Sequence, residues 1–155
     1  MEGDAMKWVL IAVGVCVALI VLVTVIGAFL PREHTVSRAI VLREPPEAVW
    51  ATIRNLEGIA AWFPEGARVR VEVAEERRLA KLVTRIVPEA RAPFGGTWTY
   101  EIQPAPGGTR LTVTENGWIA VAPFRVVAQL MGMDATIKQY LTALAKKFGE
   151  TPAIQ

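Results

Sequence analysis

The stretch Trp8–Leu30, WVLIAVGVCVALIVLVTVIGAFL, divides this 155-residue chain into two parts. It holds 23 consecutive uncharged residues, and all but Gly14, Thr24 and Gly27 are hydrophobic. At about 1.5 Å per residue, a helix over this stretch would reach roughly 35 Å, which exceeds the ~30 Å hydrocarbon core of a bilayer. The sequence therefore predicts one transmembrane helix over residues 8–30, after a short flank at residues 1–7.

A retained signal anchor is the favoured interpretation of this stretch, and a cleavable signal peptide is the alternative. The stretch is longer than the roughly 7 to 15 apolar residues of a signal peptide, and no small-x-small cleavage site precedes Pro31. Lys7 is the only basic residue before the stretch, whereas Arg32, Arg38 and Arg43 follow it. Positive-inside counting therefore predicts that the domain is cytoplasmic. With one apolar stretch, the chain is expected to be a single-pass membrane protein whose residues 8–30 contact the lipid bilayer.

The rest of the chain has the composition of an ordinary soluble domain, which excludes a disordered chain, a polytopic transporter and a disulfide-rich scaffold. The net charge of the whole chain is only +2 and no basic cluster occurs, so nucleic acid is not an expected partner. The only cysteine, Cys16, lies in the apolar stretch, and the only histidine, His34, follows it. No zinc site, no Ser/His or Cys/His catalytic arrangement and no cofactor are therefore predicted.

Hydrophobic periodicity predicts an α+β domain with five strands over residues 36–149, after a linker at residues 31–35 and before a tail at residues 150–155. The predicted helical segments are a helix that starts in the motif EPPE at 44–47, a helical turn over 59–63 and one long amphipathic helix over 124–148. The predicted strands cover 36–42, 68–73 and 79–87, and a hairpin of 97–103 with 109–119 follows a loop from Pro88 to Gly96.

Short motifs follow one another through this domain. They are PPEAVW at 45–50, NLE at 55–57, WFP at 62–64, FGGTW at 94–98, GGTRLT at 107–112, ENG at 115–117 and Tyr140-Leu141 near the end. In this order they resemble the START-like SRPBCC superfamily, in its polyketide cyclase/dehydrase branch, from Val36 to Gly149.

The resemblance implies a helix-grip fold, in which a curved antiparallel sheet wraps around the long C-terminal helix. Between them the family has a cavity that holds lipids, sterols, polyketides or other apolar molecules. This chain departs from the family pattern, since its five predicted strands compare with the usual six or seven. A smaller cavity, or one open on one side, is therefore expected.

Six residues are candidates for binding a ligand in such a cavity: Trp62, Trp98, Tyr100, Glu115, Met131 and Asp134. The large side chains among them, together with Met133, would line an apolar pocket, and their alternative role is plain core packing.

Two of these candidates are carboxylates. Glu115 is in phase with Leu111 and Val113, so its carboxylate would point to the apolar side of its strand, where burial would raise its pKa. Its alternative is a strand bend that lets it reach water or an arginine. Asp134 lies within the apolar stripe of the predicted long helix, and its alternative is an ion pair with Lys138.

The favoured function from the sequence is a membrane-anchored protein that binds a lipid or other hydrophobic small molecule without covalent chemistry. One alternative is a structural or protein-interaction module with a reduced cavity, whose protein partner the sequence does not identify. The other is a cyclase- or dehydratase-like enzyme with Glu115 or Asp134 as general acid or base. The sequence assigns no catalytic residue beyond these two candidates.

Overall fold

The computed structural model describes residues 2–87 and 89–155, so that Pro88 of the predicted loop lies outside the described residues. These residues form an α+β fold with a long N-terminal helix. The elements are α1 (Glu2–Phe29), β1 (Glu33–Leu42), α2 (Pro46–Arg54), β2 (Val71–Arg77), β3 (Lys81–Ile86), β4 (Phe94–Ala105), β5 (Gly108–Ile119), α3 (Ala122–Met131) and α4 (Ala135–Lys147), with short 3₁₀ turns at Glu57–Ala61 and Gly66–Arg68.

The five strands form one open antiparallel sheet in the order β1-β5-β4-β3-β2, which confirms the predicted strand count within the described residues. The tight turn between β4 and β5 places Ala105 opposite Gly108, and Gly107 in this turn has a φ of 80°. β2 begins at Val71, not at residue 68, because Gly66–Arg68 forms a 3₁₀ turn. β4 begins at Phe94, so the predicted loop after β3 is shorter than expected.

One face of the sheet is apolar because side chains alternate along each strand. Leu82, Ile102, Leu111 and Val113 lie on this face and are buried. Two helices cover it, and their buried residues are Val49, Trp50 and Ile53 of α2 with Ile137, Tyr140, Leu141, Leu144 and Ala145 of α4. The burial of each such aliphatic or aromatic side chain stabilises the fold by about 1.5–3 kcal/mol.

The prediction of one long C-terminal helix over residues 124–148 is wrong, because the chain breaks at Gly132. Gly132 has a φ of 88°, a positive value that glycine adopts at little cost because it has no Cβ atom. α4 then starts after Asp134, which occupies the N-cap position. The 3.6-residue periodicity continues across the break, but Val127 of α3 is exposed whereas Leu141 of α4 is buried.

α1 is the one described helix that is long and apolar enough to cross a membrane, over Asp4–Phe29. Its side chains are exposed along nearly its whole length, so it is not a core helix of this chain, although a signal sequence has the same properties. α1 begins at Glu2, before the predicted start at Trp8. Near its C-terminal end, Gly27 is buried against the carbonyl of Ala122, where no side chain would fit.

Candidate ligand-binding cavity

A partly open cavity of about 470 Å³ lies between the sheet and the C-terminal helices. It occupies the end of the sheet where β1 begins and β5 ends, whereas side chains fill the other end. The wall belongs to the inner face of the sheet, the segment from Leu56 to Val69, and residues of α3 and of the start of α4. Apolar side chains form most of this wall, which favours an apolar occupant.

The buried end of the cavity is an aromatic cluster around Tyr140. The ring centroid of Tyr140 lies 5.4 Å from that of Trp98, 5.5 Å from that of Phe63 and 5.7 Å from that of Tyr100. The Trp98 and Phe63 rings both stand nearly perpendicular to Tyr140, an arrangement that aromatic pairs favour. Burial raises the pKa of both Tyr100 and Tyr140 well above the ordinary tyrosine value, so both hydroxyls are neutral at physiological pH.

One acid and one imidazole meet in the cavity wall. The Nε2 atom of His34 lies 3.4 Å from Oε1 of Glu115, and the two side chains are only 14% and 20% exposed. Both residues line the cavity. Burial raises the pKa of the Glu115 carboxyl above its ordinary value, although His34 and the Trp98 indole act in the opposite direction.

Strand pairing brings these two side chains together. In the register of the sheet, β1 places His34 opposite Gly117 and Val36 opposite Glu115. A Cβ atom at position 117 would collide with the His34 ring, so glycine there permits the imidazole to lie across β5 beside Glu115. The prediction that Glu115 points to the apolar side of β5 is therefore confirmed for its geometry, since Trp98 pairs with it directly on the same face.

Trp98, Tyr100, Glu115 and Met131 of the predicted ligand-binding residues line the cavity, as does Met133. The structure places Trp62 outside this lining. Its ring packs against Tyr140 at 5.3 Å and borders a shallow groove along α4 instead. Trp62 directly follows the 3₁₀ turn Glu57–Ala61, and its ring packs on α4.

Asp134 also lies outside the cavity lining, and its carboxylate forms ion pairs with two cationic side chains. Its Oδ2 atom lies 2.9 Å from Nζ of Lys138 and also forms an ion pair with Arg38 of β1. The ammonium group of Lys138 and the charge of Arg38 lower the pKa of Asp134. The interpretation of Asp134 as a partner of Lys138 is confirmed, and its carboxylate ties the start of α4 to the sheet.

Sequence reasoning placed His34 beside the membrane exit and did not assign it to a cavity. Its position two residues before Val36, in the phase of the β1 face that lies towards the helices, is the signal that would have found it. Trp118 and the glycines Gly95 and Gly96 were also missed as wall residues. Their contribution depends on the register of β4 with β5, which no local pattern reveals.

Chemically, this arrangement offers an apolar chamber with one acid–imidazole pair. A carboxyl group whose pKa is raised can accept a hydrogen bond when ionised and donate one when protonated. Across residues 2–87 and 89–155, no three His, Cys, Asp or Glu side chains converge as metal ligands would.

Comparisons with known proteins show the fold of this chain and do not show its function. No family model matches this chain, and no curated protein sequence matches it. Among solved structures, it is similar to a conserved protein from Geobacillus kaustophilus, with a TM-score of 0.60 and 14% identity over 79% of this chain and 99% of that one. It is also similar to the Mll3558 protein from Rhizobium loti, with a TM-score of 0.57 and 17% identity over 74% and 96% of the two chains.

A third similar structure is protein MLL2253 from Mesorhizobium loti, with a TM-score of 0.54 and 17% identity over 73% of this chain and 98% of that one. At these identities the likeness shows the shared fold of helices on an antiparallel sheet. Function has to be argued from the cavity itself.

Proposed function

We propose that this chain is a membrane-anchored, SRPBCC-type binding protein that holds a lipid or other hydrophobic small molecule between its sheet and α4. The observation that carries the proposal is the apolar cavity of about 470 Å³ at the end of the domain next to α1. Binding, not covalent chemistry, is the favoured activity, because the wall is mostly apolar with few polar groups.

The anchor is the first part of this proposal. An exposed helix with an uncharged stretch as long as that from Trp8 to Phe29 is costly in water and is stable in a bilayer, where its backbone groups are satisfied within the helix. The domain begins almost at once after it, since β1 starts at Glu33 and α1 ends at Phe29. A short connection holds the domain close to the membrane surface, where hydrophobic ligands are concentrated.

The ligand class is the second part. A volume of about 470 Å³ lies within the roughly 300–1,000 Å³ of small-molecule sites. The aromatic cluster around Tyr140 would bury an apolar body, and the Glu115–His34 pair would meet a polar group. The arrangement therefore favours an elongated apolar molecule with one hydroxyl or comparable hydrogen-bonding end.

A matched pair of substitutions on β3 tests the binding. The inner-facing side chain of Thr84 lines the cavity, whereas the neighbouring Val83 lies on the opposite face of the sheet. The full chain in lipid nanodiscs would be exposed to a diazirine-bearing fatty alcohol, illuminated, and mapped by peptide mass spectrometry. We expect labelling of the peptides that carry Trp98 and Tyr140, lost in Thr84→Phe and retained in Val83→Phe.

Labelling confined to α1, or equal labelling of the cavity peptides in both variants, would contradict the proposed binding. A chain that does not remain with the nanodiscs after size-exclusion chromatography would contradict the anchor. The two parts of the proposal are thereby tested separately.

A second candidate activity, proton transfer by Glu115, is supported by one observation, the carboxyl group beside His34 in an apolar wall. A general base there would remove a proton next to the carbonyl of a bound ketone and return a solvent deuteron in D2O. Mass spectrometry of 2-undecanone incubated with the full chain would show that exchange. Equal deuterium uptake with the wild type and Glu115→Gln would refute this activity.

A further inference from the structure

One side of α3, next to the mouth of the cavity, is an exposed apolar surface that the domain itself does not cover. Phe124 is 53% exposed, Val127 49%, Leu130 83% and Met131 68%. These positions recur at intervals of three and four residues and therefore share one side of the helix. We call these four residues the α3 surface.

α3 carries almost no charge that would keep this surface in water. Arg125 is its only charged residue, and its side chain is turned inward and buried. An exposed apolar surface of this kind, without a charged residue in it, is typical of a site that contacts a membrane or another protein.

The Arg125 side chain fastens α3 to the end of α1. Its guanidinium donates hydrogen bonds to the carbonyl oxygens of Gly27, in the last turn of α1, at 3.2 Å and of Leu30, just after α1, at 3.3 Å. It also donates to Ile119 at 2.9 Å and Ala120 at 2.8 Å, at the end of β5. A cation is stabilised there by the negative end of the α1 dipole.

Close backbone contact supports the same junction. Gly27 lies two residues before the end of α1 and packs against the carbonyl of Ala122, the first residue of α3. At about 1.5 Å rise per residue, the start of α3 is thus within roughly one helical turn of the level at which α1 ends. If α1 crosses a bilayer, α3 starts at the boundary of that bilayer.

The cavity mouth lies on the same side of the domain. Its most exposed apolar lining residues are Phe94, Phe124, Val127 and Met131, three of which belong to the α3 surface. Phe94 pairs with Ile119, and the Ile119 amide donates to the carbonyl of Arg32 at 2.8 Å, just after α1. The rim of the cavity therefore lies close to the end of α1.

We propose that α3 lies in the membrane interface with the α3 surface among the lipid acyl chains, so that the cavity opens directly onto the bilayer. This inference rests on the part of the proposed function in which α1 crosses the membrane. The occupant of the α3 surface is the bilayer and not a second copy of the chain, because this surface continues the exposed apolar surface of α1. A ligand would then pass between bilayer and cavity without entering water.

Depth measurements on the full chain in phosphatidylcholine nanodiscs test this arrangement. In a Cys16→Ala background, single cysteines replace Val127, Leu130, Gln129 or Gln103 and carry a small environment-sensitive fluorophore. Gln129 lies on α3 about 160° around the helix from Val127, and Gln103 is exposed near the end of β4 farthest from Phe94.

We expect the labels at Val127 and Leu130 to be quenched severalfold more by doxyl groups on the acyl chains than the label at Gln103. Aqueous iodide should quench the Gln103 label most. The Gln129 label should be shallower than both of its α3 neighbours, a helical pattern that insertion driven by the fluorophore would not produce.

Leu130→Glu adds a charge to the α3 surface at a position that does not line the cavity. It should remove most of the acyl-chain quenching at Val127, and the conservative Leu130→Met should preserve it. Iodide quenching at Leu130 equal to that at Gln103 would overturn the proposal. So would shielding from both quenchers, which indicates coverage by a second copy.

The depth of α3 in the membrane and the labelling of the cavity are measured separately, so each result can contradict its own proposal. Insertion of α3 without labelling of the cavity would leave the inference standing and contradict the proposed ligand. Labelling of the cavity with α3 in water would do the opposite. Loss of the chain from the nanodiscs would contradict the anchor, and with it the inference.

Discussion

The two ends of the sheet contain similar strands but enclose different interiors. At the end near the β4–β5 turn, Leu42, Leu111 and Leu141 are fully buried in the hydrophobic core. At the end near α1, the same strands present Glu115 and Trp98 to a cavity of about 470 Å³.

The difference comes from the helices and not from the strands. Both ends alternate inward and outward side chains with the same period of two. α3 borders the open end, and after the break at Gly132 the chain continues as α4, whose later turns cover the filled end. One backbone position thus separates a packed core from a cavity, and the following substitutions are ways to test that contrast.

The largest effect is expected at the filled end, from Leu141→Ala. Removing this fully buried side chain leaves a void, which costs about 2–5 kcal/mol of unfolding free energy. Met131→Ala, at the open end and exposed, should change it by less than about 0.5 kcal/mol. Thermal unfolding in detergent, followed by tryptophan fluorescence, measures both, and equal shifts in Tm would contradict the distinction between the two ends.

A smaller loss is expected at the break itself, from Gly132→Ala. A side chain at a φ of 88° is strained, at a cost of about 1–3 kcal/mol. Gly14→Ala is the control, because a Cβ there meets no atom and the residue is helical. The same unfolding experiment compares them. An unchanged Tm for Gly132→Ala would show that the separation of α3 from α4 does not require glycine.

Glu115 should make the open end sensitive to pH. Because the pKa of this carboxyl is raised in the folded state, the fold binds its proton more tightly than the unfolded chain does. The contribution to stability is therefore greatest below the ordinary value of 4.5 and declines as the pH rises towards the raised pKa. Glu115→Gln should remove this decline in Tm between pH 4.5 and 8. A parallel pH profile for both proteins would exclude burial of the charge.

Asp134 should show the opposite sign and the smallest effect. Lys138 and Arg38 lower its pKa, so its contribution is present above the ordinary value of 3.8 and is lost as the pH falls through the lowered pKa. Solvent screens this pair, since Lys138 is half exposed. Asp134→Asn should lower the Tm slightly at pH 7 and not at pH 2.5. A difference that persists at pH 2.5 would indicate a structural role beyond its charge.

The strands and α2 could be predicted because their signals are local. Alternation over residues 109–119 and the proline at Pro46 each report the conformation of their own segment. The single long helix was predicted wrongly because periodicity does not reveal where a helix turns away, and one glycine was enough to break it. Among the candidate site residues, Trp98 and Glu115 share the phase of an apolar strand face, whereas Asp134 was assigned to a helix stripe that the break removed.

By itself, the sequence determined the long apolar helix, the α+β order with five strands and the phase that Glu115 shares with Leu111 and Val113, because each depends on residues close together in the chain. Only the tertiary structure decided that His34 meets Glu115 across 81 residues, that Arg125 joins α3 to α1, and that one end of the sheet stays open. Those features depend on strand register and on where helices lie in space, which distant parts of the chain settle together.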